Sequence, residues 1–216
     1  MTNELVKRIL SSIIILPIFI YIVVKGSFYF SILLFICFFI SVYEWQKMDV
    51  SKLLKIFGIF FLIVSFYTIY GIRSEYSNSY WPFLIIIAIS IATDIGGYVF
   101  GKIFKGPKLT KLSPNKTYAG VLGGYGLSII LCYLILKINL VNKQYLINFI
   151  VFVLLISSIS QFGDILISYF KRLSKIKDTG KIIPGHGGLL DRIDGIIFAF
   201  PASYLILLTD YFNFFL

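Results

Sequence analysis

Long apolar runs alternate with short polar segments along the whole chain, and this pattern predicts a bundle of membrane-crossing helices. Several runs approach the ~20 residues that an α-helix needs to span a bilayer. We therefore expect an all-α, polytopic transmembrane bundle of about seven spans. The predicted spans cover residues 9–24, 28–43, 56–72, 81–101, 118–136, 146–170 and 193–209. The first run resembles a signal peptide, but no small-residue cleavage pattern follows it, so we interpret it as a retained span.

The basic residues predict the orientation of these spans. If the N-terminus is cytoplasmic, sixteen of the twenty Lys and Arg residues fall in the loops on the cytoplasmic side. Short cytoplasmic loops of membrane proteins carry such an excess. Two of these loops, 102–117 and 171–192, hold eleven of these sixteen basic residues. The sequence thus predicts an integral, multi-pass protein of the cell membrane, in a bacterium its inner membrane.

Composition supports a membrane location and argues against a nucleic-acid partner. The chain is 58% hydrophobic with a mean hydropathy of +0.91, and its net charge is +10. Because the basic residues lie in short loops between apolar runs, membrane topology and anionic membrane lipids account for the charge. Cys37 and Cys132 both lie within apolar runs, so no disulfide framework is indicated.

The two parts of the chain differ in polarity. The second and third predicted spans carry no polar stripe, so residues 1–80 are interpreted as an N-terminal region of transmembrane packing helices. Residues 81–216 contain polar helix faces and both polar loops, and are interpreted as the catalytic transmembrane region.

Four aspartates mark the cytoplasmic boundary of the predicted spans. Asp94 lies in the fourth span, Asp164 lies on a polar face of the sixth, and Asp191 and Asp194 open the seventh. An acid inside a transmembrane helix costs ~2.5–3.5 kcal/mol on insertion scales and marks a functional or paired site. Since the four share one depth, we expect them to converge and to be neutralised by a hard cation such as Mg²⁺. The absence of a Cys/His ligand set argues against zinc.

The loop 102–117 contains five lysines and no acid. It is interpreted with equal weight as a plain cytoplasmic loop or as an anion site at the start of the next helix. A Ser or Thr at its end could cap that helix. The nearby Gly97-x-x-x-Gly101 and Gly120-x-x-x-Gly124 pairs favour close helix packing over a chemical role.

The segment 168–194 combines basic residues, acids and a glycine-rich run, Pro184 to Gly188. Glycines let backbone N–H groups approach an anion closely. His186 in that run is equally well explained as an ordinary loop residue. Carboxylates, a metal, lysines and glycines together indicate phosphoryl or nucleotidyl transfer.

These motifs resemble those of the phosphatidate cytidylyltransferase family, also called CDP-diacylglycerol synthases. The matching positions of the main motif are Ser168, Phe170, Lys171, Arg172, Lys177, Asp178, Gly180, Ile183, Pro184, His186, Gly187, Gly188, Leu189, Asp191, Arg192 and Asp194. The upstream matches are Ala92, Asp94, Gly96, Gly97, Tyr98, Gly101, the run Ser113 to Thr117, Gly163 and Asp164. The resemblance covers the C-terminal two-thirds of the chain.

The resemblance implies a nucleotidyltransferase of phospholipid biosynthesis that converts CTP and phosphatidate to CDP-diacylglycerol and pyrophosphate. It implies Mg²⁺, with a second, monovalent cation left open, a cytoplasm-facing site and a homodimer. The catalytic residues would be Asp164, Asp191, Lys171, Arg172, Lys177, Asp178 and His186. The substrate-binding residues would be Ser113, Asn115, Lys116, Thr117, Ser168, Gly187, Gly188 and Arg192. Asp164 and Asp191 would bind the metal, and Asp94 and Asp194 are the further candidate ligands.

Two other function classes remain open at this point. A CDP-alcohol phosphotransferase also uses clustered aspartates, but only the Asp194-Gly195 fragment of its longer motif is present. A transporter of ions or anions also places acids inside the membrane. Transporters commonly show two related halves with paired broken helices, and the sequence shows no such internal symmetry.

Overall fold

The computed structural model describes residues 2–75, 79–109, 116–182 and 187–209, with only the backbone described for 2–12, Ile15, Glu75 and Lys143. Regular structure in these residues is helical. The helices are α1 (Thr2–Lys25), α2 (Ser27–Lys47), α3 (Lys52–Glu75), α4 (Trp81–Phe104), α5 (Tyr118–Lys137), α6 (Leu146–Leu173), α7 (Leu190–Ile193) and α8 (Ile196–Leu207), with a 3-10 turn at Lys143–Tyr145.

Five of the described helices, α2 to α6, are long and apolar enough to cross a membrane. They coincide with the second to sixth predicted spans, which confirms an all-α protein with several membrane-crossing helices. The first and seventh predicted spans correspond to shorter apolar helical stretches, Leu16–Lys25 and Ile196–Leu207. The total of about seven spans and the cytoplasmic N-terminus therefore stay predictions.

The helices group into two compact units. Unit 1 comprises Met1–Tyr80 and Phe170–Ile193, and unit 2 comprises Trp81–Tyr169 and Asp194–Leu216. Helix α6 begins in unit 2 and ends in unit 1. This grouping does not test the interpretation of residues 1–80 as a packing region and 81–216 as the catalytic region, which stays a prediction.

In unit 1, Trp45 fixes the end of α2 against α3 and the end of α6. Its indole Nε1 donates a hydrogen bond to the Lys55 carbonyl oxygen at 3.1 Å. Its ring meets the Phe170 ring edge-on, with 5.1 Å between the centroids. A Cβ atom on Gly58 of α3 would lie 2.0 Å from the indole, so only glycine fits there. This packing places the end of α2 beside the segment that follows α6.

In unit 2, α4 and α5 approach each other through glycines. A Cβ on Gly120 would lie 2.7 Å from the Gly97 carbonyl oxygen, and a Cβ on Gly96 would lie 2.3 Å from that of Gly123. Both distances are too short for a side chain, so backbone contacts backbone at this crossing. The packing role predicted for the glycine pairs is confirmed.

Three buried hydroxyl groups join α4, α5 and α6 in unit 2. The Thr93 Oγ1 atom lies 2.9 Å from the Ser128 Oγ and 2.9 Å from the Ser157 Oγ. Each residue is 1% exposed or less. Hydrogen bonds between transmembrane helices replace the water that an apolar interior lacks. They join α4, α5 and α6 at Thr93, Ser128 and Ser157.

Candidate active site

Asp94, Lys116 and Asp164 line one cavity in unit 2, with a volume of about 280 Å³. The residues around them are Thr93, Gly97, Tyr98, Thr117, Gly120, Val121 and Gln161. Two of the four predicted aspartates therefore meet at one place. Lys116, which belongs to the loop 102–117, lies in the same cavity.

An ion pair joins Lys116 to Asp164 within this cavity. The Lys116 Nζ also lies 3.5 Å from the Gln161 carbonyl oxygen, and the Ser168 hydroxyl donates to Asp164 Oδ1 at 3.4 Å. The two charged side chains are 24% and 28% exposed, so a bound ligand could reach both. The ion pair is compatible with both interpretations of this loop, and the anion site stays a prediction.

The start of α5 positions Lys116. Thr117 is the N-cap residue of α5, and its hydroxyl oxygen accepts a hydrogen bond from the Gly120 N–H at 3.1 Å. Such a cap satisfies one of the N–H groups that a helix start leaves unpaired. The predicted cap is confirmed. Gly120 also contacts the α4 backbone. The cap therefore lies where α5 crosses α4, and Lys116 directly precedes it.

Asp191 lies in unit 1, where its carboxylate has four donors at hydrogen-bond distance among the described residues. Lys171 Nζ donates to its Oδ1 at 2.7 Å. Its Oδ2 accepts from the Thr179 N–H at 2.8 Å, the Thr179 hydroxyl at 3.0 Å and the Gly188 N–H at 3.2 Å. Lys171 of α6 and Asp191 of α7 therefore form an ion pair within unit 1, a pairing that the sequence did not predict.

The pKa of the Asp191 carboxyl lies below its ordinary value. Burial acts to raise this pKa, but the hydrogen bond and charge of Lys171, with the two hydrogen bonds from Thr179, outweigh burial and lower it. Asp191 is therefore an anion at neutral pH, paired with a cation. The Asp191 side chain is only 6% exposed, so its negative charge is stabilised by these partners rather than by water.

Glu44 at the end of α2 was not among the predicted site residues, yet it binds the segment that precedes Asp191. Its carboxylate accepts hydrogen bonds from the Thr179 hydroxyl at 2.9 Å, the Leu189 N–H at 3.0 Å and the Leu190 N–H at 2.8 Å. The side chain is 1% exposed. The only signal in the sequence was an acid at the end of an otherwise uncharged span. The edge of the membrane explains such an acid equally well.

The remaining predicted residues fall into three groups. Lys177, Asp178, Arg172 and Arg192 are exposed, and an Arg172 N–H donates to the Ile176 carbonyl oxygen at 3.4 Å. Gly187 has a φ of 88°, and Asp194 accepts from the Gly195 N–H at 2.9 Å in unit 2. Ser113, Asn115 and His186 lie outside the described residues.

The cavity in unit 2 fits Mg²⁺ by the chemistry of its donors. Mg²⁺ binds proteins through one or two carboxylates and takes its other ligands from water and substrate phosphates. Asp94 and Asp164 provide such a pair. In the part of the chain that is described, no three His, Cys, Asp or Glu side chains gather as a metal site. Joint metal binding by Asp164 and Asp191, which belong to different units, stays a prediction, as does that by Asp194.

Comparison with known families places this chain among proteins of one kind. The profile of the family described as "Cytidylyltransferase family" matches residues 51–210, about three-quarters of the chain. The chain belongs to the cytidylyltransferase family. The matched range contains every residue predicted for the site, whereas Glu44 lies before it.

Named relatives of this cytidylyltransferase-family chain share about a third of its residues. A phosphatidate cytidylyltransferase of Rickettsia felis is 32% identical over 206 residues, covering 92% of this chain and 90% of the relative. That of Rickettsia conorii is 34% identical, covering 90% and 87%. That of Brucella suis is 34% identical over 149 residues, which are 68% of this chain and 54% of the relative. The resemblance seen in the motifs is confirmed.

Proposed function

We propose that this chain is a membrane phosphatidate cytidylyltransferase. A phosphate oxygen of phosphatidate attacks the α-phosphorus of CTP. The bond from that phosphorus to the pyrophosphate unit breaks, and CDP-diacylglycerol and pyrophosphate are the products. The attacking oxygen is already ionised near neutral pH, so no general base is needed. The barrier comes from bringing two polyanions together, which positioned cations relieve.

The Lys116–Asp164 pair in its cavity is the observation that carries this proposal. Lys116 is held at a helix start, where its ammonium and nearby N–H groups suit phosphate oxygens. Asp94 and Asp164 would hold Mg²⁺, whose chemistry is to neutralise phosphate oxygens and assist the departure of pyrophosphate. Membership of the family and the names of the relatives support the choice of CTP and phosphatidate over an alcohol phosphotransferase or a transporter.

The proposal keeps the roles that the motif resemblance gives to unit 1. Lys171 and Arg172 bind phosphate oxygens, and Asp191 orients Lys171 and serves as a metal ligand. Lys177, Asp178 and His186 keep their catalytic assignment, and Arg192 binds substrate. Their positions in the matched range support these assignments.

The proposal extends to topology and assembly. The chain crosses the membrane about seven times, with its N-terminus and active site at the cytoplasmic face. The distribution of basic residues supports this orientation, since sixteen of twenty lie on that side. The protein works as a homodimer, and the proposal leaves a second, monovalent cation open. A site at the membrane boundary lets the lipid headgroup enter from the bilayer and the nucleotide enter from water.

Purified protein assayed for CDP-diacylglycerol from CTP and phosphatidate tests the function directly. Lys116→Ala should raise the apparent KM for CTP or phosphatidate or lower kcat, with a combined loss in kcat/KM of ~10²-fold for a charged phosphate contact. Lys137→Ala is the matched control, because Lys137 is an exposed lysine in the last turn of α5, the helix that Lys116 precedes. It should behave as wild type.

Two results would contradict the proposal. Wild-type protein that is folded but makes no CDP-diacylglycerol with Mg²⁺ present would remove the assigned reaction. Equal activity of the Lys116→Ala and Lys137→Ala proteins would remove Lys116 from the site and return the loop to the plain interpretation.

A further inference from the structure

Glu44 is a buried carboxylate that accepts hydrogen bonds from Thr179, Leu189 and Leu190. It lies on α2, 135 residues before Thr179, and both belong to unit 1. Its two oxygens accept two backbone N–H groups, those of Leu189 and Leu190, in addition to the Thr179 hydroxyl. These N–H groups open α7, the short helix that carries Asp191. Glu44 therefore satisfies donors that a buried helix start would otherwise leave unpaired.

Two glycines of the motif are required by this carboxylate. A Cβ on Gly180 would lie 2.5 Å from Glu44 Oε1, and a Cβ on Gly188 would lie 2.7 Å from Glu44 Oε2 and 2.1 Å from the Thr179 hydroxyl oxygen. All three distances are shorter than the contacts that a real Cβ atom makes. These glycines leave room for Glu44, in addition to any contact they make with substrate.

Thr179 connects Glu44 to Asp191. Its hydroxyl oxygen lies 2.9 Å from Glu44 Oε2 and 3.0 Å from Asp191 Oδ2. The hydroxyl has one proton, so it donates to one carboxylate at a time. Each carboxylate has further donors, Leu189 and Leu190 N–H for Glu44 and Lys171 for Asp191. The Thr179 hydroxyl thus contacts both carboxylates, so a displacement of Glu44 would move Thr179 and, through it, Asp191.

We propose that Glu44 is a positioning residue for the transferase site, which holds Asp191 in place through Thr179 and the N–H groups that open α7. The inference rests on the proposed function, and it gives a catalytic task to a helix outside the range matched by the family. Partners that orient a metal-binding or catalytic group commonly change activity by ~10–100-fold when they are removed.

Glu44→Gln in the full-length protein tests the proposal. Glutamine keeps the size of the side chain, but its amide nitrogen would face a backbone N–H or the Thr179 hydroxyl. We expect kcat per folded molecule to fall ~10–100-fold, with the KM for CTP within ~threefold of wild type, as for loss of a transition-state interaction. Hydrogen–deuterium exchange should become faster in peptides containing Leu189 and Leu190, and unchanged in peptides from α4 and α5.

The matched control is Asp49→Asn, which removes an exposed negative charge five residues further along the chain. It should leave both kcat and exchange as in wild type. If Glu44→Gln does not accumulate in the membrane, Thr179→Val tests the Thr179 link alone, because it removes the hydroxyl that Glu44 and Asp191 share and leaves the two N–H partners of Glu44 intact. Thr179→Ser, which keeps the hydroxyl, should retain more activity than Thr179→Val.

The outcomes separate clearly. A kcat of Glu44→Gln within about twofold of Asp49→Asn would overturn the positioning role, whatever exchange shows. Faster exchange along the whole chain would also overturn it, since the loss would then be one of general stability. Absence of activity in the wild type would refute the proposed function instead, and the exchange comparison would still decide whether Glu44 holds the opening of α7.

Discussion

The crossing of α4 and α5 predicts an unequal response to the same substitution at two glycines. A Cβ at Gly96 would lie 2.3 Å from the Gly123 carbonyl oxygen, whereas a Cβ at Gly126 would meet nothing within 4 Å. Van der Waals contact of a Cβ atom begins near 3.4 Å. Gly96→Ala therefore requires α4 and α5 to separate by about 1 Å, because a packed interior has no spare room. Gly126→Ala requires no movement.

The expected energies differ in sign. Overpacking costs ~1–3 kcal/mol, and replacing a helical glycine by alanine returns up to ~1 kcal/mol. Gly96→Ala should therefore destabilise the protein by about 1–2 kcal/mol, while Gly126→Ala should be neutral or stabilising. Since a displacement of ~1 Å can cost 10²-fold in rate, and Asp94 and Lys116 lie on opposite sides of this crossing, Gly96→Ala should also lose most of its activity.

Unfolding in mixed micelles, followed by circular dichroism, measures the stability difference between the two variants. Turnover of CTP and phosphatidate to CDP-diacylglycerol, normalised to folded protein, measures the effect on the site. Gly96 does not line the cavity, so the substitution leaves all of the cavity's side chains unchanged. Equal stability and equal turnover of Gly96→Ala and Gly126→Ala would refute the argument that the glycine crossing sets the geometry of the cavity.

Two further predictions concern the metal and the topology. Asp164→Asn should insert normally, since it removes a charge from a membrane helix, and should lose activity by orders of magnitude that added Mg²⁺ does not restore; near-wild-type turnover would contradict its assignment as a ligand. In protein without its native cysteines, a thiol reagent that cannot cross membranes should label Lys175→Cys only from the cytoplasm and Gln144→Cys only from outside. Labelling of both from one side would contradict the predicted orientation.

The sequence predicted the membrane-crossing helices well because apolar length alone decides them. Helices α2 to α6 coincide with predicted spans, and α6 extends three residues beyond its prediction, through Leu173. The last predicted span fared less well. Hydropathy is continuous across residues 193–209, whereas the helix is interrupted at Asp194 and Gly195, where Asp194 accepts a hydrogen bond from the Gly195 N–H. Such a local break leaves no trace in an average over many residues.

The candidate site was predictable where it depends on local periodicity. The polar face of α6 pointed to Asp164, and membrane depth pointed to Asp94. The pairing of Lys116 with Asp164 was not predictable, because it depends on how the start of α5 lies against α6. Glu44 was missed for a related reason. Its partners lie 135 to 146 residues away in the sequence, beyond the reach of any periodic pattern.

The ion pairs of the two lysines explain how the protein can hold cations ready for a polyanionic substrate. A lysine left unpaired in a largely apolar environment would lose its proton or its fixed position. Lys116 is held by Asp164, and Lys171 is held by Asp191, each through a direct ion pair. A phosphate oxygen can then bind either ammonium group without a further cost of ordering that lysine, since its carboxylate partner already fixes its position. Asp191 is itself fixed by Thr179 and, through Thr179, by Glu44, so the order needed for chemistry on a lipid phosphate extends to a helix that carries no motif.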